Sequence, residues 1–469
     1  MADLAVGGVA VVALFALVVL GVPIAFSLFV ASLLGMLLLT GSVEQTAVLV
    51  SNTVLGGVRD YVFAVIPLFI LMGAFMSHSP AARYLFDVAR LVARRLIGGL
   101  ASATVFANGI FGAVTGVSVA SAAIFARIAV PEMVARGYDK KLALGTVAGS
   151  SVLGMLIPPS LLMILYGVLA NVSIGTLFIA GIVPGVLLAL VYVLTITAIG
   201  VARPERVGRP ARPGRIATAS PTSSSSAATE PTGTGCSSPA LPTARTTVED
   251  VSAARTMVRA LPIGALIALV LGGIWLGWFT PTEAAAVGAS GAFVVAVGYG
   301  MRTRAIVSAF RESAVSIGSI MLLLIGAQLF SRTLARSGLV TEMTNRITDS
   351  ALSAGMVVLL FVVVLIVLGA VLDSSSILLI MVPLMAPVVT SLGLDPIWFA
   401  IIVIVAVEVG LLTPPFGMSP FAMSAVLGDR ATVGEIFAGA MPFVLAMLLT
   451  LGLLAAFPPL VTWLPSLLG

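Results

Sequence analysis

Among its 469 residues the chain has one cysteine, Cys236, and one histidine, His78. That scarcity excludes an intrachain disulfide and any Cys/His metal cluster. It also leaves a membrane-embedded enzyme without a credible Ser/His set. Charge is scarce as well. Asp, Glu, Lys and Arg make up 9% of residues, against roughly 25% in a soluble globular domain. Apolar residues take their place, at 59%, and the mean hydropathy is +1.18. This is the composition of a polytopic membrane protein in a lipid bilayer. The net charge of +5 does not signal nucleic acid. The basic residues collect at the ends of apolar runs, where they set orientation in the membrane. His78 closes one such run and reads as a solvated or interfacial side chain.

A spanning helix needs roughly 20 mostly apolar residues. The chain offers runs at 4–22, 24–40, 61–77, 98–114, 117–130, 176–200, 261–279, 284–300, 317–330, 353–372 and 437–457. The first reads as a span rather than a leader, because no basic stretch precedes it. Between spans, Arg83, Asp87, Arg90 and Arg94 fall on one helical face, as an in-plane interfacial helix requires. Arg332, Arg336, Glu342 and Arg346 suggest a second such helix. Residues 201–258, rich in Pro, Ser, Thr, Ala and Arg, cannot bury enough apolar surface to offset the entropy of ordering. They read as a disordered linker, cytoplasmic by the positive-inside rule. The free thiol of Cys236 fits a reducing compartment.

Two further apolar regions, 142–170 and 397–427, are each broken in the middle by Pro-Pro. Proline lacks the N–H that a helix uses and pushes its predecessor out of helical geometry. Each half-segment is too short to cross a hydrocarbon core of about 30 Å, so both regions are expected to be re-entrant hairpins. They are also copies. Gly137, Asp139, Gly154 and Pro158 recur as Gly393, Asp395, Gly410 and Pro414, each 256 residues later. The chain thus reads as one membrane unit written twice, 1–200 and 259–469, joined by the linker.

Paired interruptions in two membrane halves point to a transporter binding site. A helix broken at membrane depth leaves free N–H groups at one end and free carbonyls at the other. Protein, water or a ligand must satisfy them. Ser150, Ser151, Gly154, Pro158, Pro159 and Ser160 form one candidate tip. Glu408, Gly410, Thr413, Pro414, Pro415 and Met418 form the other. Residues 108–118 and 369–376, rich in small and hydroxyl side chains, are placed to face them. Asp373, after a long apolar run, is either functional or the cap of a helix beginning at Ser374. Glu408 is functional or pairs with an interfacial arginine.

At these motifs the sequence resembles the large membrane subunit of tripartite ATP-independent periplasmic (TRAP) transporters. The resemblance rests on Gly112–Ala122, Ile128–Lys140, Gly154–Ser160, Thr280–Ala286 and Glu408–Pro415, and covers nearly everything but the linker. It implies an all-α protein of two inverted repeats working as an elevator-type secondary transporter, not an enzyme, in a bacterial or archaeal cytoplasmic membrane. It implies import of a carboxylate-containing organic solute with sodium as coupling ion and no further cofactor. It implies two partners, a small four-span membrane subunit and a periplasmic solute-binding protein. Carried over by position, sodium would be held by Ser150, Ser151, Gly154, Asp373, Ser374, Ser375, Gly410, Thr413 and Pro414. Substrate would lie near Ser118, Ser160, Met418 and Ser419. The rival readings are a self-sufficient organic-anion carrier and a channel. A channel favours rings of charge or carbonyls around an oligomer axis, whereas these interruptions are paired within one chain.

Overall fold

The computed structural model describes residues 2–59, 61–93, 95–208, 253–349 and 352–468. Arg94 and most of the expected linker, Cys236 included, lie outside the described residues. The first half contains α1 Ala2–Val19, α2 Ile24–Thr40, α3 Val43–Arg59, α4 Val65–Ser77, α5 Ala81–Ala93, α6 Gly99–Thr115, α7 Ser118–Ala135, α8 Lys140–Ser151, the single turn α9 Leu153–Leu156, α10 Leu161–Ala170 and α11 Ile174–Ala202. The second contains α12 Ala253–Trp275, α13 Pro281–Gly298, α14 Thr303–Ser337, α15 Leu339–Thr348, α16 Ala354–Gly369, α17 Ser374–Ser391, α18 Pro396–Leu411, α19 Met418–Leu427, α20 Val433–Ala456 and α21 Pro459–Leu468. Among the described residues there is no strand, only an isolated bridge between Tyr138 and Val207. Seven of these helices are long and apolar enough to cross a membrane. The number is nine when two bent pairs, α4 with α5 (70°) and α8–α9 with α10 (40°), each count as one span.

The 256-residue offset reappears in local geometry. Gly137 and Gly393 take left-handed φ values of 82° and 70°, which glycine adopts without a Cβ penalty. Two residues later Asp139 caps α8 by accepting from Leu142 N–H at 3.0 Å. Asp395 caps α18 by accepting from Ile397 and Trp398 N–H at 2.7 and 3.1 Å. In each half a glycine of the interrupted helix lies against a glycine of an earlier helix, Gly154 on Gly112 of α6 and Gly410 on Gly369 of α16, backbone to backbone. The peptides Pro158–Pro159 and Pro414–Pro415 are both cis.

The halves interleave. α4 packs on α13 and α14 on α2; α7 packs on α19 and α10 on α17. Helix directions follow from side-chain pairs. Lys140 meets Glu435 (Nζ to both carboxylate oxygens, 2.9 and 2.8 Å) and Gly149 meets Phe443, so α8 and α20 run parallel. Trp398 Nε1 donates to Leu454 O at 2.9 Å, joining the start of α18 to the end of α20, so those two are antiparallel. Hence α8 and its counterpart α18 run in opposite directions.

Several expectations change. The Pro-Pro regions are gaps in helices, but their arms do not pack side by side as hairpins would. α8 lies on α20, α7 and α6, whereas α10 lies on α17 and α11. The doubled-back pair is α6–α7, turned at Gly116 (φ 64°) and Val117. A left-handed glycine reverses the chain more tightly than Pro-Pro, which only denies it N–H donors. α14 is 35 residues long where a short span was read. α17 was masked by its internal Pro383 and Pro387. α11 continues to Ala202, and Pro204–Val207 is folded against the body rather than belonging to a free linker. His78 Nε2 sits 3.3 Å from Glu312, and its ring is half-buried. α5 buries Ala82, Leu85, Phe86 and Ala89 while Arg90 reaches Glu132 at 3.0 Å.

The α8–α20 seam admits no side chain at two points. A Cβ on Gly145 would meet the Gly439 carbonyl, and one on Gly439 the Lys141 carbonyl. Gly439→Leu should therefore lower the melting temperature in detergent, at a cost of about 1–3 kcal/mol or more for overpacking. Gly452→Ala, whose Cβ meets nothing within 4 Å, should not. Equal melting of the two variants would contradict the seam.

Candidate functional site

Two helix starts meet at one carboxylate. α7 begins at Ser118 and α17 at Ser374, positions one 256-residue offset apart. Ser374 Oγ donates to Glu408 Oε1 at 2.9 Å, and the Ser118 hydroxyl lies against the same carboxylate without completing a well-formed hydrogen bond. Glu408 sits on α18 with no exposed surface, and its Oε2 has no partner. Nearby on α11, Tyr192 is wholly buried with an unpartnered hydroxyl, its ring edge-on to Phe443 at 5.4 Å. No basic side chain pairs with Glu408 among the described residues, so the arginine partner weighed from sequence is not there.

The N-termini differ. Asp373 caps α17, accepting from Ser376 N–H at 3.1 Å through Oδ1, which makes the capping reading of this residue a fact of the fold. α7 has no side-chain cap, because its N-cap is Val117. Its first N–H groups are left for another acceptor, and the helix dipole favours an anion there.

The first interruption is enclosed. Asn108 on α6 donates to Ser150 Oγ at 2.8 Å and to Val147 O at 3.2 Å, and its own carbonyl oxygen is buried without a partner. Ser151 donates to Ala148 O at 2.7 Å. Ser160 caps α10 and donates to Met155 O at 2.5 Å. Gly154, Pro158, Pro159 and Ser160 are all buried. A void of about 10 Å³ lies between Val114–Val117, Pro159 and α4, room for a single water-sized species. The second interruption is open. Pro414, Pro415 and Phe416 are exposed, and so is Met418. Thr413 is turned back onto Val409 O at 2.7 Å. Ser375 is half-buried, and Ser419 is buried with an unpartnered hydroxyl.

The structure therefore gathers Ser118, Ser374 and Glu408, joins Ser150 to Asn108, and sets Pro414 and Met418 on an exposed rim. Two contributors went unnoticed in the sequence. Asn108 stood inside a stretch read only as small and hydroxyl-rich. Tyr192 sits in an unbroken apolar helix and gave no signal. No group of three His, Cys, Asp or Glu side chains is close enough to hold a metal among the described residues. The donors here are hydroxyl, carbonyl and one carboxylate oxygen, a set that suits a hard cation.

The model of the family described as "Tripartite ATP-independent periplasmic transporter, DctM component" matches residues 11–460. The chain belongs to this family. The C4-dicarboxylate TRAP transporter large permease protein DctM of Pseudomonas aeruginosa is 34% identical over 414 residues, covering 88% of each chain. The ectoine/5-hydroxyectoine TRAP transporter large permease protein UehC of Ruegeria pomeroyi is 30% identical, covering 96% of each. The sialic acid TRAP transporter large permease protein SiaM of Vibrio cholerae is 28% identical, covering 95% of each. In fold, the chain is similar to the Alcanivorax borkumensis YdaH transporter, with a TM-score of 0.59, 15% identity and 88% coverage of both chains. These relatives are permease subunits rather than enzymes.

For this TRAP permease chain the buried carboxylate gives a direct test. Glu408→Gln keeps an acceptor for Ser374 but removes the charge. It should insert and melt normally while transport falls at least about tenfold, as for a lost intramembrane charge with a functional role. Tyr192→Phe should lower transport less. Wild-type rates in both would make this cluster structural only.

Proposed function

We propose that this chain is the membrane-spanning translocation subunit of a sodium-coupled, binding-protein-dependent transporter in the cytoplasmic membrane, importing a carboxylate-containing organic solute. The observation that carries this reading is the convergence of the two helix starts on Glu408 beside two interrupted helices. The uncapped N-terminus of α7 offers free N–H groups to an anionic solute. Ser150, Ser151, Ser374, Ser375, Thr413, the second oxygen of Asp373 and the carbonyls of Gly154, Gly410 and Pro414 are the proposed sodium ligands. Ser118, Ser160, Met418 and Ser419 are the proposed solute contacts.

The opposed directions of α8 and α18 support alternating access. A rim open at Pro414–Met418 and closed at Pro158–Ser160 fits a state in which one face alone admits solute. In the elevator form of this reading, α6–α11 and α16–α20 carry the site past the α1–α4 and α12–α14 scaffold. The carboxylate preference draws on relatives named for C4-dicarboxylates and sialic acid, and the ectoine-named relatives widen it to zwitterions bearing a carboxylate. The small membrane subunit and the solute-binding protein are the proposed partners, in keeping with a family described as tripartite and periplasmic.

Proteoliposomes holding this chain, a small subunit and a solute-loaded binding protein should accumulate solute under an inward sodium gradient and stop when a sodium ionophore collapses it. Vesicles with the chain alone should not accumulate it. Robust uptake by the single chain would favour the self-sufficient carrier. Asp373→Asn preserves the cap, since asparagine caps as well as aspartate, and should raise the sodium concentration for half-maximal uptake. Pro158→Ala and Pro414→Ala should impair sodium-coupled uptake more than insertion. An unchanged sodium dependence in all three variants would remove the interrupted helices from the ion site.

A further inference from the structure

Just beyond α11 the chain tucks Val207 into a groove, where the side chain is 5% exposed. Tyr138 forms an antiparallel bridge with Val207, and Asp139 N–H donates to Arg206 O at 2.9 Å. The walls are close. A Cβ on Gly98 would lie 3.0 Å from Val207 Cγ1, and one on Gly200 would lie 2.9 Å from Val207 Cγ2. Part of the supposed linker thus plugs a slot at the start of α8.

The repeat supplies a second copy of the slot. Adding 256 to Gly98, Gly137, Tyr138 and Asp139 gives Ala354, Gly393, Leu394 and Asp395. All four line one cavity of about 290 Å³, together with Val358, Trp398, Ala455 and Pro458. No segment of this chain plugs it among the described residues. After α20 the chain enters α21 through Pro458-Pro459, and α21 packs on α11 and α18 instead of returning. Asp395 N–H, the counterpart of the donor that holds Arg206, has no acceptor among the described residues. Because α8 and α18 run in opposite directions, the two slots open on opposite faces. The plugged one is on the face that carries Arg203, Arg206 and Val207.

We propose that the open slot receives an extended segment of the soluble solute-binding partner. The segment inserts one aliphatic side chain against Trp398 and Val358 and lends a backbone carbonyl to Asp395 N–H. This rests on the three-component reading above. The occupant's chemistry is copied from the plugged slot, in which an aliphatic side chain and the preceding carbonyl enter together. A lipid chain would fill the apolar space but leave the N–H without an acceptor. Short extended segments held by a backbone bond and one pocketed side chain are a recurrent mode of peptide recognition. The face also fits, since it lies opposite the arginine-rich start of the linker, which the positive-inside rule assigns to the cytoplasm.

The test uses the full chain with Cys236→Ser and Leu394→Cys, bearing a short photoactivatable cross-linker. It is reconstituted with the small subunit and solute-loaded binding protein. Illumination should yield an adduct with the binding protein, mapped to an extended segment containing Val, Ile or Leu. The same label at Tyr138→Cys should yield none. In unlabelled vesicles, Ala455→Trp should fill the slot and raise the apparent KM for loaded binding protein about tenfold, as expected for loss of one anchoring pocket, with kcat retained. Adducts only with lipid or the small subunit, or an unchanged KM in a correctly inserted Ala455→Trp protein, would overturn the slot. Uptake that needs no binding protein would instead overturn the three-component reading, so the two failures are told apart.

Discussion

A polar backbone group that finds no partner costs more in hydrocarbon than anywhere else in a protein. Everything central to this molecule answers to that constraint. The chain breaks its own helices at Pro158–Pro159 and Pro414–Pro415, and then has to house the freed groups. It does so by enclosing the first break beneath α6, with Ser160 tying its hydroxyl to Met155 O. Asn108 pins Ser150 from the side. The second break is left at an exposed rim. Close packing makes the enclosure workable. Gly112 on Gly154 and Gly369 on Gly410 bring backbones together, as small residues do between membrane helices. The space left over is scaled to ions and water.

Glu408 is the counterpart of this arrangement in side-chain terms. It is an intramembrane carboxylate satisfied on one oxygen by Ser374 and paired with no basic side chain among the described residues. A buried charge without a partner is strongly disfavoured. Its second oxygen and the Ser118, Tyr192 and Ser419 hydroxyls have no hydrogen-bond partner among the described protein groups. Water, a proton or a cation can engage these atoms.

The membrane class and the two interruptions were legible because they are written in composition and in the paired prolines. Gly393 and Asp395 echo Gly137 and Asp139 in both sequence and capping geometry. The hairpin assignment was not legible. Pro-Pro signals where hydrogen bonds stop but not which way the chain leaves, and the reversal belongs to Gly116. α17 hid behind two prolines that neighbouring helices tolerate. α3 hid because the polar blocks Glu44–Thr46 and Ser51–Thr53 interrupt its apolar residues. The role of Tyr192 depends wholly on which helix lies opposite it, and no local pattern encodes that. Pro204–Val207 was lost within a compositionally disordered stretch, since one buried valine does not alter a composition.

The Lys140–Glu435 clasp carries a consequence for biosynthesis. Its partners are 295 residues apart, so at translation rates of about 5–20 residues per second the lysine waits on the order of 15–60 s for its glutamate. Throughout that interval the glycine face of α8 stands in the nascent membrane without α20 to cover it. The packing seen between the halves is completed only once both have been made. A chain cut short within the intervening stretch would lack the helix that α8 packs on, and so would be an unfinished body rather than a smaller version of this one.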